Sequence, residues 1–379
     1  MQKQTNYARS IFILLLFICF IIAATVLKFT ASVMIPLTMS ILLSCAFFPL
    51  LKTMKTKMHI PWIVGIVFVV LFLLVLAFTI GNLLYTSIKT IVSVYPKYES
   101  RFTYLYELFA TTFKIPFDAQ SSLTANLWSS LNVRNAVQNF AISLSSHLFS
   151  FAKDALMVLL FIIFLLLEIR SFHLKTDKAF EGNISSKLET IFANTINEVT
   201  RYISIKFIIS LLTGFFVFLG TFVIGMDFPI IWGFLAFVLN FIPNFGSIIS
   251  GVLTVLFALL EFYPRWGYVI YVAVLMLSVN MILGNFVEPR WEGTDLGLSP
   301  FVILVSLAIW GWMWGFVGMI LAVPIMVIIK IVCENVSILQ PIAVLLGNAP
   351  HHEKQTAVQK FDKMAAGNSS DDSENKKQE

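Results

Sequence analysis

The chain is 379 residues long, 58% hydrophobic and 12% charged, with a mean hydropathy of +0.86. Soluble domains carry about a quarter charged residues, so a soluble globular protein is excluded, and 37 Phe among long Leu and Ile runs point to an all-α, polytopic helical membrane protein. The net charge of +5 lies in short loops and the tail, which fits orientation by Lys and Arg rather than a nucleic-acid or acidic partner.

Residues 1–27 have a signal-peptide outline, with Lys3 and Arg9 ahead of an apolar run over 11–27. That run is long for a cleaved signal, and further spans follow, so it is taken as an uncleaved first span. Three spans are predicted at 11–28, 33–51 and 62–85, because about 20 apolar residues cross the hydrocarbon core. Lys52, Lys55, Lys57 and His59 lie between the second and third, against Lys28 alone in the preceding loop. The bias puts the N-terminus in the cytoplasm and residue 86 outside.

Residues 86–150 have a different pattern. Apolar positions recur at Tyr98, Phe102, Leu105 and Phe109, then at Val133, Val137, Phe140, Leu144, Leu148 and Phe151. This spacing predicts extracytoplasmic amphipathic helices. Their face has few Lys or Arg, which favours packing against a neighbouring subunit over lying on headgroups. A fourth span at 152–169, a cytoplasmic amphipathic helix at 184–203 and a fifth span at 207–225 follow. Residues 151–345 form the expected transport domain, and 346–379 read as a disordered cytoplasmic tail.

The stretch from Phe228 to Leu260 has 33 residues without Asp, Glu, Lys or Arg, yet its centre holds Asn240, Pro243, Asn244, Gly246 and Ser247. Split there, each arm has about 14 residues, roughly 21 Å of helix, short of the ~30 Å core. Two short helices meeting at a polar turn predict a re-entrant hairpin, whose irregular backbone is tolerated only where protein or water covers it. One kinked helix, or two poor spans, would have the same composition.

Leu296 to Ile329 is a second uncharged run, broken at Gly311–Gly315. With a full span at 266–286 between them, the two hairpins would enter from opposite sides and meet at their tips, as in inverted-repeat transporters. Gly311-x-x-x-Gly315 also reads as helix packing. The total is about eight membrane segments, two of them hairpins.

Residues 241–251 (FIPNFGSIISG), 285–330 and the layout before them resemble the autoinducer-2 exporter family of bacterial membrane proteins, over about residues 8–340. The family's Pro-x-x-Gly turn is matched by Pro243 and Gly246. Its Pro-Arg…Gly, Leu-Gly-Leu and Pro pattern is matched by Pro289, Arg290, Gly293, Leu296, Gly297, Leu298 and Pro300. Gly315, Gly318 and Met319, then Ala322, Val323 and Pro324, complete it. Asn244 stands where the family usually has an aromatic residue, giving a more polar tip. The resemblance implies a homo-oligomeric exporter, a pentamer, and leaves open both autoinducer-2 efflux and sodium–proton antiport.

All five histidines fall outside the predicted spans, and no Asp or Glu lies mid-span. No catalytic constellation, metal spacing or cofactor motif is found, so an enzyme is not expected. The missing carboxylates also weigh against an ion antiporter. Arg290, steadied by Glu288, is the nearest fork of donors for an oxygen-rich solute, though the cluster also reads as a hydrated loop with internal ion pairs. At the first tip, Asn240, Pro243, Asn244, Gly246 and Ser247 offer side-chain and main-chain donors and acceptors. Trp312 and Trp314 on the facing tip would stack on a small ring, and read equally well as packing residues. The set suits a small neutral or weakly anionic polyol such as autoinducer-2; Asn and Ser also suit sodium. The expectation is an inner-membrane exporter of a small polar solute, working by alternating access. A sodium–proton antiporter and a non-transporting envelope scaffold are the alternatives.

Overall fold

The computed structural model describes residues 2–112, 133–180, 183–292, 297–336 and 338–347. The outer stretch 113–132 and the polar tail from 348 onward lie outside the described residues, as do Gly293 and Leu296 of the family pattern.

The chain enters through α1 (Gln2–Phe29), turns at Thr30, and returns through α2 (Ala31–Lys57). The third predicted span and the amphipathic stretch after it are one uninterrupted helix, α3 (Trp62–Thr112). In the same way α4 (Val133–Ala179) joins the second amphipathic stretch to the fourth span. The surface helix predicted at 184–203 and the span predicted at 207–225 are likewise one helix, α5 (Asn183–Val223). A change of hydrophobic pattern marks where a helix leaves its apolar surroundings, and backbone hydrogen bonding continues across it.

Among the described residues, seven stretches are long and apolar enough to cross a membrane, and Pro229–Leu239 is a shorter apolar helix. Large side chains such as Leu71, Phe78, Phe164 and Phe222 are exposed along these stretches. A soluble surface would not display so much continuous apolar area.

α5 is the central element. Its Ile209 and Val217 pack with Ala236, Ala258, Val272 and Met276 in one cluster, and its Ile196 and Val199 with Leu42, Cys45 and Trp314 in another. In lipid, apolar surface alone gives helices little reason to associate, so close backbone packing decides. Gly214 of α5 and Gly233 of the next helix show it: a Cβ on either would lie 2.7 Å from the other's carbonyl oxygen. A third cluster joins Leu51, Trp62, Ile66, Val69, Ile162 and Leu166, where the Trp62 indole N–H donates to the Leu166 carbonyl at 2.9 Å.

Both uncharged runs fold back on themselves. The first is α6 (Pro229–Leu239) and α7 (Phe245–Phe262). Trp232 and Phe257 rings stand 4.8 Å apart, and at the base the Asp227 N–H donates to both Glu261 carboxylate oxygens, at 3.1 and 3.0 Å. α8 (Trp266–Val279) follows and passes into a π-helical segment, Asn280–Val287, then a short α9 (Glu288–Glu292).

The second run is α10 (Pro300–Asn335), interrupted at Gly315, whose φ of 62° and ψ of −141° are open essentially to glycine alone. The Ser306 hydroxyl donates to the Ala322 carbonyl at 3.2 Å. Sixteen residues on a straight helix would separate them by about 24 Å, so the two arms lie side by side. α11 (Gln340–Leu346) closes its base, where Leu298 and Gly347 form a β-bridge.

Candidate functional site

α6 stops at Leu239 because Pro243, with no N–H and a ring that crowds the preceding turn, cannot extend it. The chain then makes a γ-turn at Asn244, φ 61° and ψ −54°, closed by the Phe245 N–H donating to the Pro243 carbonyl at 2.7 Å. At Gly246 the returning arm passes so close that a Cβ would lie 1.7 Å from the Leu239 carbonyl oxygen. No other residue fits without moving the backbone.

The turn's polar groups are knitted to their surroundings. The buried Asn240 amide donates to the Ser210 hydroxyl at 3.0 Å, and its carbonyl oxygen faces the Ser247 hydroxyl at 3.4 Å. Asn280 donates to the Ser247 carbonyl at 3.3 Å. Beside this turn lies a cavity of about 690 Å³, lined by Asn240, Pro243, Asn244 and Ser247 from the tip, and by Asn280, Gly284, Asn285 and Glu288 from the π-helical segment and its end. The Glu288 N–H bonds to the Leu283 carbonyl five residues back. Such wide-turn insertions occur frequently at functional sites.

Lys206 of α5 also lines the cavity, whose remaining wall is mainly apolar (Ile248, Val252, Val255, Leu256, Met276 and Leu277), and it forms an ion pair with Glu288. Their side chains are only 4% and 16% exposed. A buried pair adds little stability over a well-packed apolar one, whereas removing one partner costs about 3–5 kcal/mol. Ionisable groups at such depth therefore point to function first.

The far end of the first hairpin is held differently. Lys97 and Tyr98 of α3 donate to the Asp227 carboxylate, the phenol at 2.5 Å, and Arg101 donates to the Tyr263 carbonyl at 3.2 Å. Burial works to raise the Asp227 carboxyl, but donation from Lys97 and Tyr98 with the Lys97 charge outweighs it and holds the group below its ordinary value. Burial, aided by the bond to Asp227, pushes the Tyr98 phenol well above its usual range.

The family pattern described as AI-2E family transporter matches residues 11–338. The chain belongs to this family. Among the relatives of this AI-2E family transporter is a candidate transport protein of Borreliella burgdorferi, 32% identical over 85% of the chain and 86% of that protein. Another, from Haemophilus influenzae, is 31% identical over 92% and 99%. The AI-2 transport protein TqsA of Escherichia coli is 29% identical over 85% and 91%. The chain is thus a multi-pass membrane transporter.

Of the residues singled out in its sequence, this AI-2E family transporter gathers Asn240, Pro243, Asn244, Ser247 and Glu288 around one cavity. Gly246 sits behind the turn and shapes it. Arg290 does not line the cavity: it is exposed on α9, and Glu288 is engaged by Lys206. Trp312 and Trp314 also lie elsewhere. The buried Trp314 donates its indole N–H to the Leu27 carbonyl at 3.0 Å, and Trp312, 62% exposed, carries the Lys28 ammonium 3.8 Å from its ring centroid.

In this AI-2E family transporter Trp310 and Met319, near the second turn, pack against the cluster that holds the first tip. Leu239 and Ile242 at the first tip pack against Leu307 and Ala322, partway along the second. Tip positions depend on which side chains interlock between arms, and charge-free runs carry no record of that. The sequence reading also missed Lys206, Ser210, Asn280 and Asn285. The signal was there: Lys206 and Ser210, like Asn280, Gly284 and Glu288, recur every four residues on one helical face.

Proposed function

We propose that the chain exports a small polar solute, autoinducer-2 or a similar small signalling molecule, through the cavity beside the first hairpin tip. The observation that carries this is the cavity itself: amide and hydroxyl groups of Asn240, Asn244, Ser247, Asn280 and Asn285 converge on about 690 Å³ beside a break in the helix. Those polar groups pair with the hydroxyls of a small polyol, while Ile248, Val252, Leu256 and Leu277 form the cavity's apolar side. The name of the related TqsA, AI-2 transport protein, supports the same cargo.

In this reading the first hairpin is re-entrant, since α6 with 11 residues reaches only about 16 Å into the bilayer. Rocking of the hairpins exposes the cavity alternately to each side. Both termini are cytoplasmic, the membrane is the bacterial inner membrane, and copies of the chain assemble, as a pentamer by family resemblance. Asn240, Pro243, Asn244, Gly246, Ser247 and Glu288 form or shape the solute site. Arg290, Trp312 and Trp314 act outside the cavity, at its approach and at the second tip.

One observation favours a second reading, sodium–proton antiport: the buried Lys206–Glu288 pair supplies the ionisable group that the sequence spans lack. Reconstitution into liposomes separates the readings. Efflux of loaded autoinducer-2 supports export, a sodium-dependent change of internal pH supports antiport, and neither signal leaves an envelope scaffold.

A further inference from the structure

We propose that the cavity has a second subsite, a trough between α7 and α8 that takes an apolar tail, so that this transporter accepts single-tailed molecules with an uncharged, hydroxyl-rich head. The inference rests on the transport reading above and extends the solute class of the same site. The lining is segregated along the helices. Asn240, Asn244, Ser247, Asn280 and Asn285 gather at the end nearest the turn. Val252, Val255 and Leu256 of α7 and Ala273, Met276 and Leu277 of α8 line the other end. From Ser247 to Leu256 the wall is about 14 Å long, at the rise of a helix. Among the described lining residues Lys206 is the sole cation, and Glu288 engages it. The polar end therefore suits a neutral head and offers no free cation to a phosphate.

Two glycines of the lining indicate that the space is kept for an occupant. Gly251 stands where the polar and apolar ends join: a Cβ there would meet the Asn280 amide nitrogen and the Met276 Cβ, both at 3.9 Å, which is ordinary contact. A Cβ on Gly284 would meet nothing within 4 Å. Neither glycine has a positive φ, and neither serves a close approach of the kind made at Gly214, Gly233 and Gly246. Glycine is among the poorest residues for a helix, so its effect at both positions is to leave the cavity wide. The resulting volume of about 690 Å³ suits a drug-sized molecule and exceeds what a small polyol fills.

The trough is open along its side, where Ile248, Val252, Leu256 and Leu277 are exposed. A tail can therefore enter from the bilayer while the head stays with the amides. An apolar tail gains little by leaving lipid for an apolar wall, whereas a polar head without partners in hydrocarbon is costly. The head thus fixes where the molecule stops, and the width at Gly251 decides which tails fit.

The full-length protein in nanodiscs, with a decyl ether of glycerol bearing a diazirine at its tail end, provides the test. Crosslinks mapped by mass spectrometry are expected at 252–256 and 273–277, about tenfold above those on the lipid-facing Leu71, Phe78 and Phe164, as a specific site requires. Unlabelled octyl glycerol ether is expected to compete them away, and Gly251→Leu, which fills the trough, to reduce them several-fold. Gly251→Ala is expected to melt no lower than the parent, because its methyl group has room. Labelling of the trough at or below the level of the other faces would mean that bilayer lipid or a second copy of the chain fills it, and would overturn the proposal. So would crosslinks that survive Gly251→Leu or the octyl ether, or a lowered melting temperature in Gly251→Ala. None of these measurements needs transport: loss of autoinducer-2 efflux would count against the transport reading, whereas even crosslinking with efflux intact would remove the trough alone.

Discussion

In both hairpins a glycine of the returning arm lies against a carbonyl of the arm before it: Gly246 over Leu239, and Gly318 over Trp310, where a Cβ would come within 2.0 Å. The ends differ. The first tip is a five-residue polar turn, Asn240 to Asn244, opening on a cavity. The second turns at the single residue Gly315 and presents Trp310, Met313 and Trp314 to α1 and α2. The bases differ too, since Asp227, Glu261, Lys97 and Tyr98 hold the first, and main-chain pairing of Leu298 with Gly347 holds the second. One construction thus has two ends: the apolar tip is packed against its neighbours, and the irregular, more polar tip opens on a cavity.

The largest effects should come from the shared glycines. Gly246→Leu and Gly318→Leu each force a side chain into main-chain atoms, and each is expected to cost about 3 kcal/mol or more. Thermal unfolding in detergent should show both losses, with membrane insertion retained and export lost in Gly246→Leu. A stable, active Gly246→Leu protein would mean that the first run tolerates a straight helix.

Next come changes that separate the tips. Trp314→Phe removes the bond to Leu27 and should cost about 1 kcal/mol of stability while leaving solute affinity unchanged. Asn244→Ala should cost no more than that, because the γ-turn conformation at φ 61° and ψ −54° strains asparagine and alanine alike. It should also weaken the apparent affinity several-fold. Efflux titrations that show the affinity loss in Trp314→Phe instead would reverse the roles given to the two tips.

The smallest effect concerns the ionic base. Asp227 is held below its ordinary value, so its contribution is complete above an unfolded pKa of about 3.9 and is lost as pH falls through the folded value. Asp227 is a third exposed and Lys97 half exposed, so solvent screening limits the gain to below about 1 kcal/mol. Melting temperatures from pH 7 to pH 3 should therefore converge between parent and Asp227→Asn at the acid end. A difference that grows on acidification would contradict the assignment.

Much of this was legible in the sequence. Two charge-free runs with Pro243–Gly246 and Gly311–Gly315 at their centres are enough to locate the turns, because proline and glycine act on the backbone locally. The polar cluster at the first turn is likewise local. The Lys206–Glu288 pair was hidden because hydropathy averages along the chain. Lys206 then reads as the wet end of a span and Glu288 as loop, although their helices continue and face each other. The placing of Trp312 and Trp314 was hidden for another reason: only the packing of Trp314 against Leu27 fixes which neighbour the second tip meets.

The central claim is that solute passes beside the first tip and not the second. Autoinducer-2 efflux from liposomes, compared at equal protein between Asn240→Leu and Trp312→Leu, tests it most directly. Asn240→Leu keeps volume but removes the buried amide that joins Ser210 to the cavity wall, and is predicted to abolish efflux. Trp312→Leu loses one exposed cation–π contact, worth about 0.5–1 kcal/mol, and is predicted to transport as the parent does. Undiminished efflux from Asn240→Leu, or its loss in Trp312→Leu alone, would contradict the account.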